Sequence, residues 1–411
     1  MVRPTRREWL ALAGAAAVGA KAFAQPETTK LPARAVTKGP KHHWFGYYDK
    51  CPWDKTGRYL LAMESEFCDR QPTAKDAIAV GMVDLKDGDK FIPLDTTRAW
   101  NWQQGTMLQW LGSAPDREVI YNSIVDGKPA AIVRDVQSGK TRTLARPIYA
   151  VSNDGKQAVT LDFARLHRLR PGYGYAGYDE RFVNDPAPEQ LGIGHLDLAT
   201  GKDRQILSLK QLAAFQPDAR FTGAHHWVNH LQFNPGGTRF VFLHRWRVDL
   251  KPWSTRIFTA KPDGTDLRLH LDTGMVSHFD WRDDSTILAW VKTPKDGNKF
   301  ALIDVATNGL TLVGDDVLTQ DGHCSYSPDR KWILNDTYPD KNRLQWLMLY
   351  HPEKNRRYDL NQFHSPKQFT GPFRCDMHPR WNRDGTQVCF DGCHEPERQV
   401  YVVDVREIVT G

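Results

Sequence analysis

Hydrophobic positions in this chain fall into short runs, each opened by a polar turn, and the arrangement recurs. It is seen in "WDKTGRYLLA" from Trp53, "WLGSAPDREVIY" from Trp110, "VSNDGKQAVT" from Val151 and "FNPGGTRFVF" from Phe233. It continues in "WRDDSTILAW" from Trp281, "YSPDRKWIL" from Tyr326 and "WNRDGTQVCF" from Trp381. Asp, Asn, Pro and Gly make the turn, and the β-branched and aromatic residues behind it make a strand. Each copy is followed by a second strand that ends near an acid and a polar turn, as in "IAVGMVDLKDG", "ALIDVATNG" and "VYVVDV". Copies start 41 to 57 residues apart, except for one interval of 82 between Val151 and Phe233.

A four-stranded unit at that period is a propeller blade, and seven of them close a ring with no long free edge. The pattern therefore predicts an all-β protein, a seven-bladed β-propeller over residues 41–411. The last blade is expected to lack an outer strand, and residues 25–40 form a linker whose 30–40 end supplies it. The long interval predicts an insertion over about residues 162–222, and residues 206–215 are expected to form one short helix.

In each blade the strand before the turn should line the central bore, so residues at equal offsets from the turn sit at similar heights. Three residues before the turn's aromatic stand His230, His278, His323 and His378, on four consecutive blades. The other three blades carry Lys50, Met107 and Ile148 there. Duplication of a packing residue would not leave three blades without it. A partial ring of imidazoles is a candidate metal or catalytic site, suited to Mn, Zn, Fe or Ni rather than to Ca or Mg. Asp321 and Asp376, each two residues before a histidine of the ring, are candidate oxygen ligands or orienting partners. His42, His43, Tyr47, Tyr48, Asp49, Gln103, Gln104, His225 and His226 also fall on predicted inner strands, as structural hydrogen-bonding groups or sugar contacts.

Composition adds a compartment and removes a partner class. Residues 1–24, with the pair Arg6-Arg7, an alanine-rich apolar stretch and the ending Ala22-Phe23-Ala24, have the form of a twin-arginine-like signal peptide. The expected location is periplasmic or secreted, and the mature chain is expected to be a monomer with no integral membrane segment. The formal charge is +6 for the whole chain, of which the first 24 residues carry +3. That near-neutral balance, without a basic stripe or recognition motif, argues against nucleic acid. Six cysteines leave disulfides open, "CFDGC" pairing with itself or with Cys375.

The motifs "HHWFGYYDKCPW", "VNHLQF", "SHFDW", "HCSYSPD" and "HPRWNRDG" together resemble the seven-bladed propeller polysaccharide lyases: the oligogalacturonate lyases and, more loosely, the ulvan lyases. The resemblance spans essentially the whole mature chain. It implies a divalent transition metal, Mn or Zn, held by His278 and His323, with His230 as the base. Gln320 falls where the family uses a glutamine ligand, and Ser325 stands where the family has a second closely spaced histidine. The ring argument adds His378 and Asp321 to the ligand set.

The chemistry so implied is metal-assisted β-elimination on an acidic oligo- or polysaccharide containing uronic acid. Neutralising the carboxylate acidifies the neighbouring C–H, and a neutral histidine removes the proton. Arg165, Arg168, Arg170 and Arg245 are candidate carboxylate clamps, and Tyr173 and Tyr175 candidate acids. His43, Gln103, Gln104 and His226 are candidate sugar contacts. Two other readings stand beside this one. A glycoside hydrolase would need facing carboxylates, from Asp49, Asp280, Asp321 and Asp376; a non-catalytic propeller would bind glycan or protein at its mouth.

Overall fold

The computed structural model describes residues 27–249 and 251–411, and the signal-like segment at residues 1–24 lies outside them. Seven antiparallel sheets follow one another around a central bore, as the turn-and-strand period predicts. Blade 4 shows the unit at full length: His225–Phe233 lines the bore, then Phe240–Arg247, Ser254–Ala260 and Arg268–Gly274 step outward. Apolar side chains on facing sheets pack between blades, as where Trp332, Leu334 and Leu349 of blade 6 meet Met377, Val388 and Phe390 of blade 7. Each such side chain contributes roughly 1.5–3 kcal/mol on leaving water. Among the described residues, no helix is long and apolar enough to cross a membrane.

The ring is closed by the chain's own beginning. Arg34–Ala35 pairs antiparallel with Gln399–Asp404, as the outer strand of blade 7. Just before it, Glu27–Thr28 adds a parallel fifth strand to blade 6. The long interval is divided. Gly192–Asp197 pairs with Gln157–Thr160 and Asp203–Ser208 follows, so these are ordinary strands of blade 3. The predicted 162–222 insertion thus becomes two segments, one between the second and third strands of blade 3 and one joining blade 3 to blade 4. The first opens with the helix Phe163–Leu169, capped by Asp162, whose carboxylate accepts from Arg165 N at 2.6 Å. The second holds the helix Leu209–Ala214 inside the predicted 206–215, started by a Ser208/Gln211 capping box.

A buried chain of polar groups pins that second segment. Arg256 donates to the carbonyls of Leu212 and Gln216, at 2.7 and 3.1 Å, and through Nε to His244 Nδ1 at 3.1 Å. His244 Nε2 is left to donate to His226 Nδ1 at 2.9 Å. His226 is therefore a buried fastener and not a sugar contact, because its neighbours already use it.

A second buried polar knot sits in blade 7. Asp391 binds Arg380 Nη2 at 2.8 Å and Arg398 Nη2 at 3.1 Å, and all three side chains are wholly buried. The same carboxylate accepts from the amides of Phe45 and Gly46, so it also holds the segment that carries Tyr47 and Tyr48 into the bore. Gly46 has φ +119° there, and a Cβ would lie 2.9 Å from the Gln104 backbone. Only glycine meets both conditions.

Removing Asp391 would strand two buried guanidinium groups. Asp391→Ala should cost about 3–5 kcal/mol, read as a lower denaturant midpoint with an unchanged slope. A pH signature comes from His226, whose pKa is pushed down to about 4 by burial, then by Arg256 and Arg165. Between pH 4 and 6.5 the unfolded chain binds a proton there that the folded chain refuses, so stability is full above 6.5 and falls as pH drops toward 4. The loss amounts to at most about 3 kcal/mol. Denaturant unfolding of His226→Phe across this range should show a flatter dependence on pH than the parent.

Candidate active site

The four ring histidines meet. Centroid distances are 6.3 Å from His230 to His278, 4.1 Å from His278 to His323 and 4.3 Å from His323 to His378. All four are buried. The inner strands bulge at this height: His230 and His378 have φ of +52° and +44°, and Met107, at the same offset in blade 2, has +58°. A left-handed residue at this offset thus occurs on three of the seven blades, with and without a histidine.

Each imidazole has different partners. His323 Nδ1 lies 2.9 and 3.0 Å from the two oxygens of buried Asp336, which also accepts the His323 amide at 2.7 Å. Gly322 permits this approach, since a Cβ on it would lie 1.9 Å from the Asp336 carbonyl oxygen. With Nδ1 committed, His323 Nε2 faces inward with no partner. His278 Nδ1 is fixed by Asp321 at 2.9 Å, and its Nε2 lies 3.5 Å from the Tyr338 hydroxyl. Neither nitrogen of His378 has a partner. His230 donates its amide to the Tyr149 hydroxyl at 2.9 Å and stacks on Tyr47 at 5.1 Å, while its Nδ1 is buried and unpartnered.

Burial, followed by the Arg245 and His278 charges, holds the His230 pKa well below the usual histidine value, so the ring is neutral at pH 7. His378 is lowered well below it too, by burial and then His323. At His323 burial pulls downward, but the Asp336 carboxylate outweighs it and the net shift is upward.

His323, His378 and Asp376 bring their ligand atoms within 4.8 Å of one another, all buried. Two imidazoles with free nitrogens and one carboxylate fit a divalent transition metal. His278 borders this group, and Asp321 serves it by orienting the His278 ring. Gln320 is exposed; the side chain of that stretch that reaches the imidazoles is Asp321, so the glutamine is not placed as a ligand. Asp376 also lies 2.7 Å from Arg374 Nε, and Arg374 Nη2 donates to the Tyr173 hydroxyl at 3.1 Å.

Of the predicted clamps, Arg245 is placed to act. It is buried, its Nε and Nη1 have no partner, and burial followed by the Arg170 charge pushes its pKa down to about 10. Arg170 lies beside it, with its guanidinium 4.4 Å from the Tyr173 ring. Arg165 is spent: it binds Glu180 and the carbonyls of His226 and Pro186, the last two at 2.7 Å. Arg168 shares Glu180. Both fasten the insertion through these contacts.

Tyr175 is wholly buried, stacked on Phe163 at 4.1 Å, and its hydroxyl accepts from Asn122 at 2.8 Å. It cannot reach the imidazoles; Tyr173, 5.6 Å from His230, does. His43 is held between Gln399 and Glu64 at 3.0 and 3.1 Å. Gln103 donates to the carbonyls of Pro372 and Arg374, and Gln104 to the Tyr149 hydroxyl at 2.7 Å. Gln104 thus supports His230 from behind, through Tyr149, and the other two are structural.

Tyr48 partitions the bore. Its ring is 5.4 Å from His323, while its hydroxyl exchanges hydrogen bonds with the Phe279 backbone at 2.9 Å. Beyond it, at the turn end, lies a cavity of about 470 Å³ lined by Asp49, Lys50, Gln232, Asp280 and Trp381 among others. Asp49 pairs there with Lys50, and Asp280 accepts from Gln232 and from the Tyr326 amide. The four carboxylates considered for a hydrolase are thus split between two compartments, and Asp321 and Asp376 each already face a basic group. Asp336, Tyr338 and Arg374 escaped the sequence reading, which followed inner strands, the insertion and one second-strand arginine. Asp336 ends a second strand, "WILND", and that is where a partner for an inner-strand histidine can come from.

No protein-family model matches this chain, and no curated protein matches it by sequence. By structure it is similar to an oligogalacturonate lyase in complex with manganese, at 15% identity over 94% of this chain and 96% of that one, with a TM-score of 0.68. An oligogalacturonate lyase from Vibrio parahaemolyticus is 14% identical over 92% and 94% of the two chains, with a TM-score of 0.65. A prolyl endopeptidase covers 90% of this chain with 49% of its own, at 12% identity and a TM-score of 0.52. The chain is a seven-bladed β-propeller, with the fold that oligogalacturonate lyases have.

Proposed function

We propose that this protein is an exported polysaccharide lyase that cleaves uronic-acid-containing glycans by β-elimination. The observation that carries the reading is one juxtaposition: His230, neutral and with a free Nδ1, lies beside a buried Arg245 whose guanidinium lacks an anion. A buried cation with unpaired donors calls for a carboxylate, which Arg can grip through two hydrogen bonds.

Arg245 holds the uronate carboxylate and draws charge toward it. His230 Nδ1 takes the C5 proton, the C4–O4 bond breaks, and a C4=C5 double bond forms. Tyr173, its hydroxyl already accepting from Arg374, hands a proton to the departing O4. Burial of the imidazoles keeps water from competing for these groups. His323, His378 and Asp376 would hold the metal, Mn or Zn, which when bound supplies a further positive charge against the enolate-like oxygen. The likeness to a manganese-bound oligogalacturonate lyase supports this choice of chemistry.

Metal-replete protein incubated with oligogalacturonate, ulvan, glucuronan and glycosaminoglycans should raise ultraviolet absorbance on at least one of them, from the unsaturated product. His230→Gln should lower that kcat/KM by about 10²–10⁴. Silence across the set would remove the lyase reading. Separately, elemental analysis of untagged protein should find one divalent transition metal per chain, lost in the His323→Ala/His378→Ala double variant. The same content in parent and variant would place the metal elsewhere.

A further inference from the structure

Among the described residues one tryptophan is left exposed. Trp253 is 37% accessible, whereas Trp44, Trp53, Trp100, Trp102, Trp227 and Trp281 are all but sealed. It sits at the end of the hairpin joining Phe240–Arg247 to Ser254–Ala260 in blade 4. Its position is held from within. The Arg170 guanidinium lies 4.5 Å from the indole centroid and 4.4 Å from the Tyr173 ring, a cation between two aromatic faces. The Arg245 guanidinium is 5.8 Å from the same indole, and Tyr173 is 5.6 Å from His230.

A continuous path thus runs from the base, through Tyr173 and Arg170, to an indole open to solvent. An exposed indole with a fixed guanidinium against its ring is a rigid apolar plate with a positive charge close by. The apolar C–H face of a pyranose ring fits such a plate, and acidic or hydroxyl substituents on its rim fit the guanidinium. Arg170 Nε has no partner among the described residues, so the guanidinium keeps hydrogen-bonding capacity that its neighbours do not use.

We infer that Trp253 and Arg170 form an outer sugar-binding subsite, taking the pyranose next to the one whose carboxylate reaches Arg245. This rests on the lyase reading and adds to it a dependence on chain length. The indole gains nothing from a substrate too short to cover it, and contributes binding once a second ring is present. Its action is uniform: it holds ground state and transition state alike, so KM changes and kcat does not.

The test is steady-state cleavage of oligogalacturonates and oligoglucuronates of two to six units, by ultraviolet absorbance, with the full chain and its Trp253→Ala and Trp253→Phe variants. On the longer members of whichever series is cleaved, Trp253→Ala should raise KM about tenfold with kcat nearly unchanged, and the shortest cleaved member should be unaffected. Trp253→Phe should recover most of the loss. A parent that cleaves while Trp253→Ala keeps its KM at every length overturns the subsite and leaves the lyase standing. A fall in kcat equal at all lengths also overturns it, because the indole would then only be packing Arg170. A parent inactive on both series overturns the lyase reading for these glycans and the subsite with it.

Discussion

A buried nitrogen that neither gives nor receives a hydrogen bond costs roughly 1–3 kcal/mol, and the bore of this propeller contains several in one place. His230 Nδ1, His323 Nε2, both nitrogens of His378 and two of Arg245 are in that condition. A core chosen for stability alone would carry apolar groups there, as blades 2 and 3 do with Met107 and Ile148. The ring of blades makes the exception possible. Seven sheets fix the backbone around the bore so firmly that side chains with unmet hydrogen-bonding capacity cannot collapse or turn away.

The surroundings make the four imidazoles chemically unlike. His323 leans on Asp336, which outweighs burial and pushes it toward holding its proton; burial, and then Arg245, push His230 toward losing it. Two rings with only His278 between them thus have opposite tendencies, one set by burial and then a guanidinium, the other by a carboxylate that outweighs burial. Such a division is what proton transfer beside a cation-holding group requires. Both directing residues come from second strands, behind the histidines: Asp336 from Ile333–Asp336 and Arg245 from Phe240–Arg247.

That origin explains what could be read from the chain. Fold and blade count were legible because turn and strand repeat at one period, and the imidazole ring because a constant offset on inner strands becomes a constant height. The closing strand was legible from the missing outer strand of blade 7. Loop arginines and tyrosines were not, since nothing local separates Arg165, consumed by Glu180 and two carbonyls, from Arg170, which keeps a free nitrogen. Tyr173 and Tyr175 are two residues apart in "PGYGY", yet one faces His230 and the other is sealed against Phe163. Those outcomes depend on partners far along the chain, as does the division of the 162–222 segment, where a strand pairing overrode the apparent length of the loop.

Cavity volume and unmet hydrogen-bonding capacity, likewise, do not coincide in this bore. A cavity of about 470 Å³ lies on the far side of Tyr48, but its carboxylates are already matched, Asp49 with Lys50 and Asp280 with Gln232 and the Tyr326 amide. Water alone can fill such a space at little cost. On the imidazole side His230 Nδ1, His323 Nε2, both nitrogens of His378 and two of Arg245 are unmatched. A ligand gains free energy by supplying partners that the protein lacks, so the cluster of unmatched nitrogens is where binding energy is on offer. Tyr47 and Tyr48, on a segment held by Asp391 through the Phe45 and Gly46 amides, stand between the two compartments, Tyr48 tied at its tip to the Phe279 backbone and Tyr47 against His230 Nε2. Without that partition, water from the wide end would satisfy the imidazoles and Arg245, and the feature that distinguishes this bore from a structural core would be lost.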